Sequence, residues 1–103
     1  MRALRRSWGH PLLVLYAADN ATAASRVGIV AGRRVGKAVV RNRVKRRVRE
    51  AVRARLPRLR GGKDLVWIAR PASATATYAE IVAAVDDLLG RSRLLGNLAG
   101  AKQ

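Results

Sequence analysis

The sequence predicts an α+β fold, a small single-domain α/β sandwich in which helices pack on a mixed four-stranded sheet. Three observations carry this reading. Residues 12–17, 26–31 and 64–70 are short segments of strand length, rich in Leu, Val and Ile. Residues 40–56 and 78–89 instead repeat their apolar positions at helical spacing. With 103 residues the chain can enclose one modest core and not two.

In chain order, residues 1–10 carry Arg2, Arg5 and Arg6 beside Trp8 before Gly9-His10-Pro11 marks a turn. Two readings stay open for this segment, a short edge strand folding back on the next one or a basic tail. His10 has no cysteine and no cluster of acids near it, so it reads as a loop residue without chemistry. Residues 12–17 form a strand ending at Tyr16 and Ala17, residues 19–25 a loop, and residues 26–31 a second strand, so this pair is expected to make an antiparallel hairpin. Gly28 inside the second strand marks either a bulge or a place where another backbone or a ligand comes close.

Residues 32–38 turn the chain into the first helix. On a helical wheel Val40, Val44, Val48, Ala51 and Val52 share one sector, Asn42, Arg46, Arg49 and Arg53 lie opposite, and Arg43 and Lys45 flank them. Pro57 ends the helix, and residues 59–63 make a basic connection containing Gly61-Gly62. The run Asp64-Leu-Val-Trp-Ile-Ala-Arg70 has five apolar residues in a row, which predicts a central strand covered on both faces and parallel to residues 26–31. Thr77-Tyr78-Ala79-Glu80 is a capping box, and Tyr78, Ile81, Val82, Val85, Leu88 and Leu89 follow as the apolar stripe of a second helix. Gly90 is expected to end it, and residues 90–103 to form a flexible tail.

Charge is the second axis of the sequence. Lys and Arg number 22 against 6 Asp and Glu, a formal net charge of +16. Such an excess concerns partners rather than fold and points to nucleic acid or an anionic membrane surface. The charge is concentrated, because 14 of the 22 basic residues fall between Arg33 and Lys63. Six of them, Arg41, Arg43, Lys45, Arg46, Arg47 and Arg49, occupy nine consecutive helical positions with no acid before Glu50. A solvated helix face ordinarily mixes signs, since like charges one turn apart repel. Arg33, Arg34 and Lys37 cluster around Gly36 just before the helix, where free N–H groups and side-chain charges both favour phosphate.

Other chemistry finds little support. Metal-assisted hydrolysis needs several carboxylates converging on the cations, and here six acids are scattered, with the adjacent pair Asp86-Asp87 diverging on a helix. No Ser-His-acid set is present, and the absence of cysteine removes disulfides, a thiol nucleophile and Cys-based zinc sites. The apolar runs fall short of the roughly 20 residues that span a bilayer, and no apolar segment of signal-peptide length follows the first basic residues. The sequence reads as a soluble, cytoplasmic protein.

The run Gly32-Arg-Arg-Val-Gly-Lys-Ala-Val-Val-Arg-Asn-Arg-Val-Lys-Arg-Arg-Val-Arg-Glu-Ala-Val-Arg53 resembles the signature of the bacterial ribonuclease P protein subunit, whose hallmark is an Arg-Asn-Arg core followed by further basic residues on one helix. The flanking strands, ending in Leu-Val-Leu-Tyr16, Ser25-Arg-Val-Gly-Ile-Val30 and Asp64-Leu-Val-Trp-Ile-Ala-Arg-Pro71, are similar to that family too, so the resemblance covers residues 11–89. It implies a left-handed βαβ crossover and a division of labour in which a large RNA subunit cleaves precursor tRNA with Mg2+ while the small basic protein binds that RNA and the 5′ leader. The Mg2+ is then required by the RNA and not held tightly by the protein.

Carried onto this chain, the resemblance assigns RNA binding to Arg33, Arg34, Lys37, Arg41, Asn42, Arg43, Lys45, Arg46 and Arg49. Arg43, Lys45 and Arg46 are implied to face mainly the catalytic RNA, and Tyr16, Arg41, Asn42 and Arg49 the leader. Asn42 has a second reading as an N-terminal helix cap, and Trp67 one as core. No catalytic residue, protein-bound metal, membrane or small-molecule partner is expected. Family members usually begin with an aromatic-bearing helix that lines the leader cleft, whereas ten residues precede Pro11 here and the chain has no Phe, so the start is either truncated or the cleft differently built. The competing reading is a general RNA-binding or ribosome-associated protein without a defined ribozyme partner. A duplex-DNA binder using the basic helix and a membrane-active amphipathic helix rank behind it.

Overall fold

The computed structural model describes residues 5–19, 25–58 and 62–92. Four strands, β1 (Arg5–Gly9), β2 (Leu13–Asp19), β3 (Arg26–Ala31) and β4 (Lys63–Ala69), form one sheet in the order β1-β2-β4-β3. Two helices, α1 (Ala38–Arg53) and α2 (Tyr78–Ser92), cover one side of it. Of the two readings for the N-terminal segment the strand is realised, pairing Trp8 with Leu15 and Arg6 with Ala17. His10 closes the β1–β2 turn, its Nδ1 accepting the Leu12 N–H at 3.0 Å.

The expected hairpin between residues 12–17 and 26–31 does not form. β4 lies between these strands, antiparallel to β2 (Leu15 opposite Trp67) and parallel to β3 (Ile29 opposite Trp67). The physical reason is burial: the most apolar strand gains two neighbours at the centre, and the 19–25 connection is long enough not to force adjacency. Its parallel pairing with β3 follows from the intervening α1, which carries the chain back to the same end of the sheet.

β4 is central but not covered on both faces. Leu65, Trp67 and Ala69 are buried, whereas Val66 on the other side is exposed. The covered face also takes Leu13, Leu15 and Ala17 of β2, and these residues meet Val44, Val48, Ala51 and Val52 of α1 and Ile81, Ala84, Val85, Leu88 and Leu89 of α2 in one core. β1 and β2 lie under α2, and β3 and β4 under α1. At about 25 cal/mol per Å2 of apolar surface, a buried Leu or Val contributes roughly 1.5–3 kcal/mol; Trp67 is the largest buried side chain, its indole Nε1–H without a hydrogen-bond partner.

The capping box of α2 forms as expected: the Thr77 N–H donates to Glu80 Oε1 at 2.8 Å and the Glu80 N–H to Thr77 Oγ1 at 3.1 Å. Tyr78 leaves the expected stripe and is exposed in the first turn, while Ala84 joins it. Gly90 does not end α2, which continues to Ser92 with Arg91 paired to Asp87 one turn back. The first helix starts earlier and ends earlier than residues 40–56, because Leu56–Arg58 forms a separate 3-10 turn around Pro57. The tail at 93–103 and the connections at 20–24 and 59–61 lie outside the described residues.

Candidate nucleic-acid interface

α1 sorts its side chains into four rows. Val44, Val48, Ala51 and Val52 enter the core, with Val40 partly buried beside them. Asn42, Arg46 and Glu50 project outward and are exposed. On the flank toward α2, Arg43 donates from Nη2 to the Ala74 carbonyl at 3.3 Å and Arg47 from Nη1 to the Ala76 carbonyl at 3.0 Å. On the flank toward β3, Lys45, Arg49 and Arg53 succeed one another at one-turn spacing, and Arg49 and Arg53 line a groove with Val27 and Ile29 of β3. Arg41, near the apolar sector as the wheel places it, is half-buried, and its Nε is buried without a partner.

The loop before α1 is built rather than loose. Arg33–Val35 is a 3-10 turn pinned by the buried Val35, which leaves Arg33 and Arg34 exposed. Gly36 follows at φ 148°, a region side-chain-bearing residues avoid, and an added Cβ would stand 3.1 Å from Val40. Lys37 is the N-cap residue, with no side-chain cap and no acid in the first turn. The helix N-terminus therefore adds its positive dipole end to Arg33, Arg34 and Lys37. Asn42 is the fifth residue of α1 and not its cap, so the capping alternative is removed; its exposed amide faces outward among cations.

Five of the six acids are engaged away from the basic row, and Glu50 alone stands exposed on α1. Asp19 pairs with Lys63, Asp64 with Arg26, Asp86 with Arg55 and Asp87 with Arg91, while Glu80 serves the capping box. The Arg26–Asp64 contact is bidentate, both bonds 3.0 Å, and these hydrogen bonds together with the opposite charge hold Arg26 above the usual arginine range. The hydrogen bond to Asp86 raises Arg55 in the same direction. Among the described residues, Arg33, Arg34, Lys37, Arg41, Lys45, Arg46, Arg49 and Arg53 have neither an ion pair nor a side-chain hydrogen bond. Among the described residues, the unpaired cations concentrate on α1 and its leading turn.

Tyr16 lies on the uncovered face of the sheet, 45% exposed, opposite Ser7 on β1 and Val66 on β4. Its ring is open to stacking, whereas Trp67 is fully buried and is core. Tyr16 is thus on the open face of the sheet, and the cationic helix on the other.

A family model described as Ribonuclease P matches residues 2–93. The chain belongs to the ribonuclease P protein family. It is 47% identical over 88 residues to the ribonuclease P protein component of Roseiflexus castenholzii, covering 84% of this chain and 72% of that one. Its structure is similar to the RNase P protein of Staphylococcus aureus, with a TM-score of 0.82 at 26% identity over 89% of this chain and 84% of that one. The RNase P protein of Thermotoga maritima gives a TM-score of 0.76 at 31% identity, covering 84% and 83%. The chain is accordingly an RNA-binding protein component of ribonuclease P, the tRNA 5′-processing enzyme, and works with ribonuclease P RNA and precursor tRNA.

Two roles escaped the sequence. Arg47 counted as one more cation, yet it joins Arg43 in holding carbonyls in front of α2; no local signal marks which arginine of a basic helix faces a neighbouring turn. Arg53 falls on the polar side of the helical wheel with no assigned function, although its position one turn after Arg49 puts it on the row beside β3.

Proposed function

We propose that the unneutralised surface of α1 and its leading turn binds ribonuclease P RNA, and that Tyr16 with Arg41, Asn42 and Arg49 receives the single-stranded 5′ leader of precursor tRNA. The observation that carries this reading is the partition of charge: among the described residues every Asp is paired away from α1, and eight basic side chains of α1 and its leading turn are left with neither an ion pair nor a side-chain hydrogen bond. Arginine suits phosphate because its planar fork engages two oxygens at once.

Within this reading Arg33, Arg34, Lys37, Lys45 and Arg46 meet the phosphates of the catalytic RNA. Arg43 contributes the donors left after its bond to Ala74. The buried, unpartnered Nε of Arg41 favours an acceptor brought by the ligand, since a buried unmade hydrogen bond costs about 1–3 kcal/mol. Asn42 adds a group that both donates and accepts, suited to a base edge or a ribose hydroxyl.

The chemistry belongs to the RNA. When bound by the RNA, Mg2+ would supply charge stabilisation and an activated water. The acids of this chain are a poor match for holding it, four being in ion pairs, Glu80 in a cap and Glu50 alone on the exposed row of α1. What the protein supplies is positive charge where two RNAs approach, which lets the RNA retain its metal at lower free concentration. The partners and the absence of a helix long and apolar enough to cross a membrane among the described residues favour work in the cytoplasm.

Equilibrium binding tests the reading. The chain should bind ribonuclease P RNA more tightly than other structured RNAs of equal length at the same salt, and with a steep salt dependence. Equal affinity for all of them would favour a general RNA-binding protein.

A further inference from the structure

Between the free edge of β3 and the last turns of α1 lies a groove of about 280 Å3 lined by Val27, Ile29, Val52 and Leu56, with Arg49 and Arg53 among its walls. Val27 is 37% and Leu56 41% exposed, so the apolar floor is open to solvent. Neither arginine has an ion-pair partner, and Glu50, one turn before Arg53, pairs with neither. An apolar floor walled by two free guanidinium groups matches an unpaired nucleotide, whose base is flat and apolar on its faces and whose phosphate is anionic.

The sheet supplies a route to it. On the uncovered face Tyr16 stands beside Val66, and Val66 beside Gly28 on the edge strand. Two strand spacings, about 10 Å, separate Tyr16 from that edge. The pairing of β3 runs without a bulge through Gly28, so the bulge reading of this glycine is removed. A Cβ there would meet only Val66 Cγ2, at 4.0 Å, so space alone does not demand glycine. Its effect is a low point in the sheet edge, next to the two residues, Val27 and Ile29, that open the groove.

We infer that this groove is a further leader subsite: a strand of RNA stacked on Tyr16 crosses the β3 edge at Gly28 and places a later unpaired nucleotide over Val27, Ile29 and Leu56, its phosphate held by Arg49 and Arg53. The half of the β3 backbone polar groups that an edge strand leaves unpaired is available to the base edge. The inference rests on the leader reading above and extends it to Arg53, Gly28 and the apolar floor.

The test uses the complex of this chain with ribonuclease P RNA, measuring affinity for precursor tRNA whose leader is progressively shortened from its 5′ end. Arg53→Gln removes the charge, and Gly28→Val raises the sheet edge with a residue that strands favour. Each should weaken binding of the long-leader substrate, Arg53→Gln by roughly tenfold as for a lost charged hydrogen bond, with the penalty shrinking as the leader shortens. A penalty independent of leader length, a loss of affinity for ribonuclease P RNA itself, or no penalty would overturn the subsite. The wild-type chain in the same series separates this from the wider reading: if leader length does not matter even there, leader binding as a whole fails.

Discussion

Arg47 and Ala76 are joined by a 3.0 Å hydrogen bond from Nη1 to the carbonyl oxygen, which ties the middle of the basic helix to the residue just before the α2 capping box. Its sequence neighbour Arg46 is exposed and unbonded. Adjacent arginines of one motif are therefore placed differently, Arg47 tied into the fold and Arg46 open to solvent.

Arg47→Ala should lower folding stability by about 1–3 kcal/mol, the cost of leaving a partly buried carbonyl unmade, with a smaller change in the salt dependence of RNA binding. Arg46→Ala should do the reverse. Stability should hold within about 0.5 kcal/mol, while the slope of log affinity against log salt falls by roughly 0.7–0.9 for the phosphate contact removed. Denaturant melts and binding titrations on both variants check this; parallel behaviour would refute the division.

Tyr16 is exposed on the uncovered face, so its removal can be read without loss of fold. Tyr16→Ala should cost ~1–3 kcal/mol of affinity for leader-bearing RNA, and Tyr16→Phe should keep most of it because stacking needs the ring and not the hydroxyl. Equal losses for leader-bearing and mature tRNA would instead assign Tyr16 to another contact.

Gly36 at φ 148° sets the direction from which the chain enters α1. Gly36→Ala should destabilise by more than about 1 kcal/mol, since the added Cβ meets both the backbone preference and Val40 at 3.1 Å. RNA affinity should fall with it, because Arg33 and Arg34 are placed by the same turn. A variant with wild-type thermal stability would show that the turn relaxes at no cost.

Thr77→Ala removes one half of the capping box and should cost roughly 0.5–2 kcal/mol of stability. RNA affinity measured well below the melting temperature should not change, since Thr77 lies outside the unneutralised surface. Thr77→Ser should recover most of the loss.

Periodic features were legible in the sequence, and features set by long-range competition were not. The valine row of α1, the cap of α2 and the polar outer row of Asn42 and Arg46 are local consequences of helical spacing, and each appears where the sequence puts it. The neighbour of β2 was not local: residues 12–17 and 26–31 are close along the chain, yet β4 separates them because its run from Leu65 to Ala69 has most to gain at the centre. Five apolar residues in a row overstated the cover on β4, since one sheet face remains open and carries Tyr16. In the site, the charge excess was visible from composition, but which arginines are free required knowing where each Asp is paired.

This chain serves an RNA catalyst. The direct measurement is cleavage of precursor tRNA by bacterial ribonuclease P RNA at limiting Mg2+, with and without the protein. The chain should restore cleavage at the 5′ end of the tRNA, more strongly for substrates with a leader long enough to reach Tyr16, and Arg46→Ala should weaken the rescue. Tight RNA binding with no change in cleavage at any Mg2+ concentration would contradict this role.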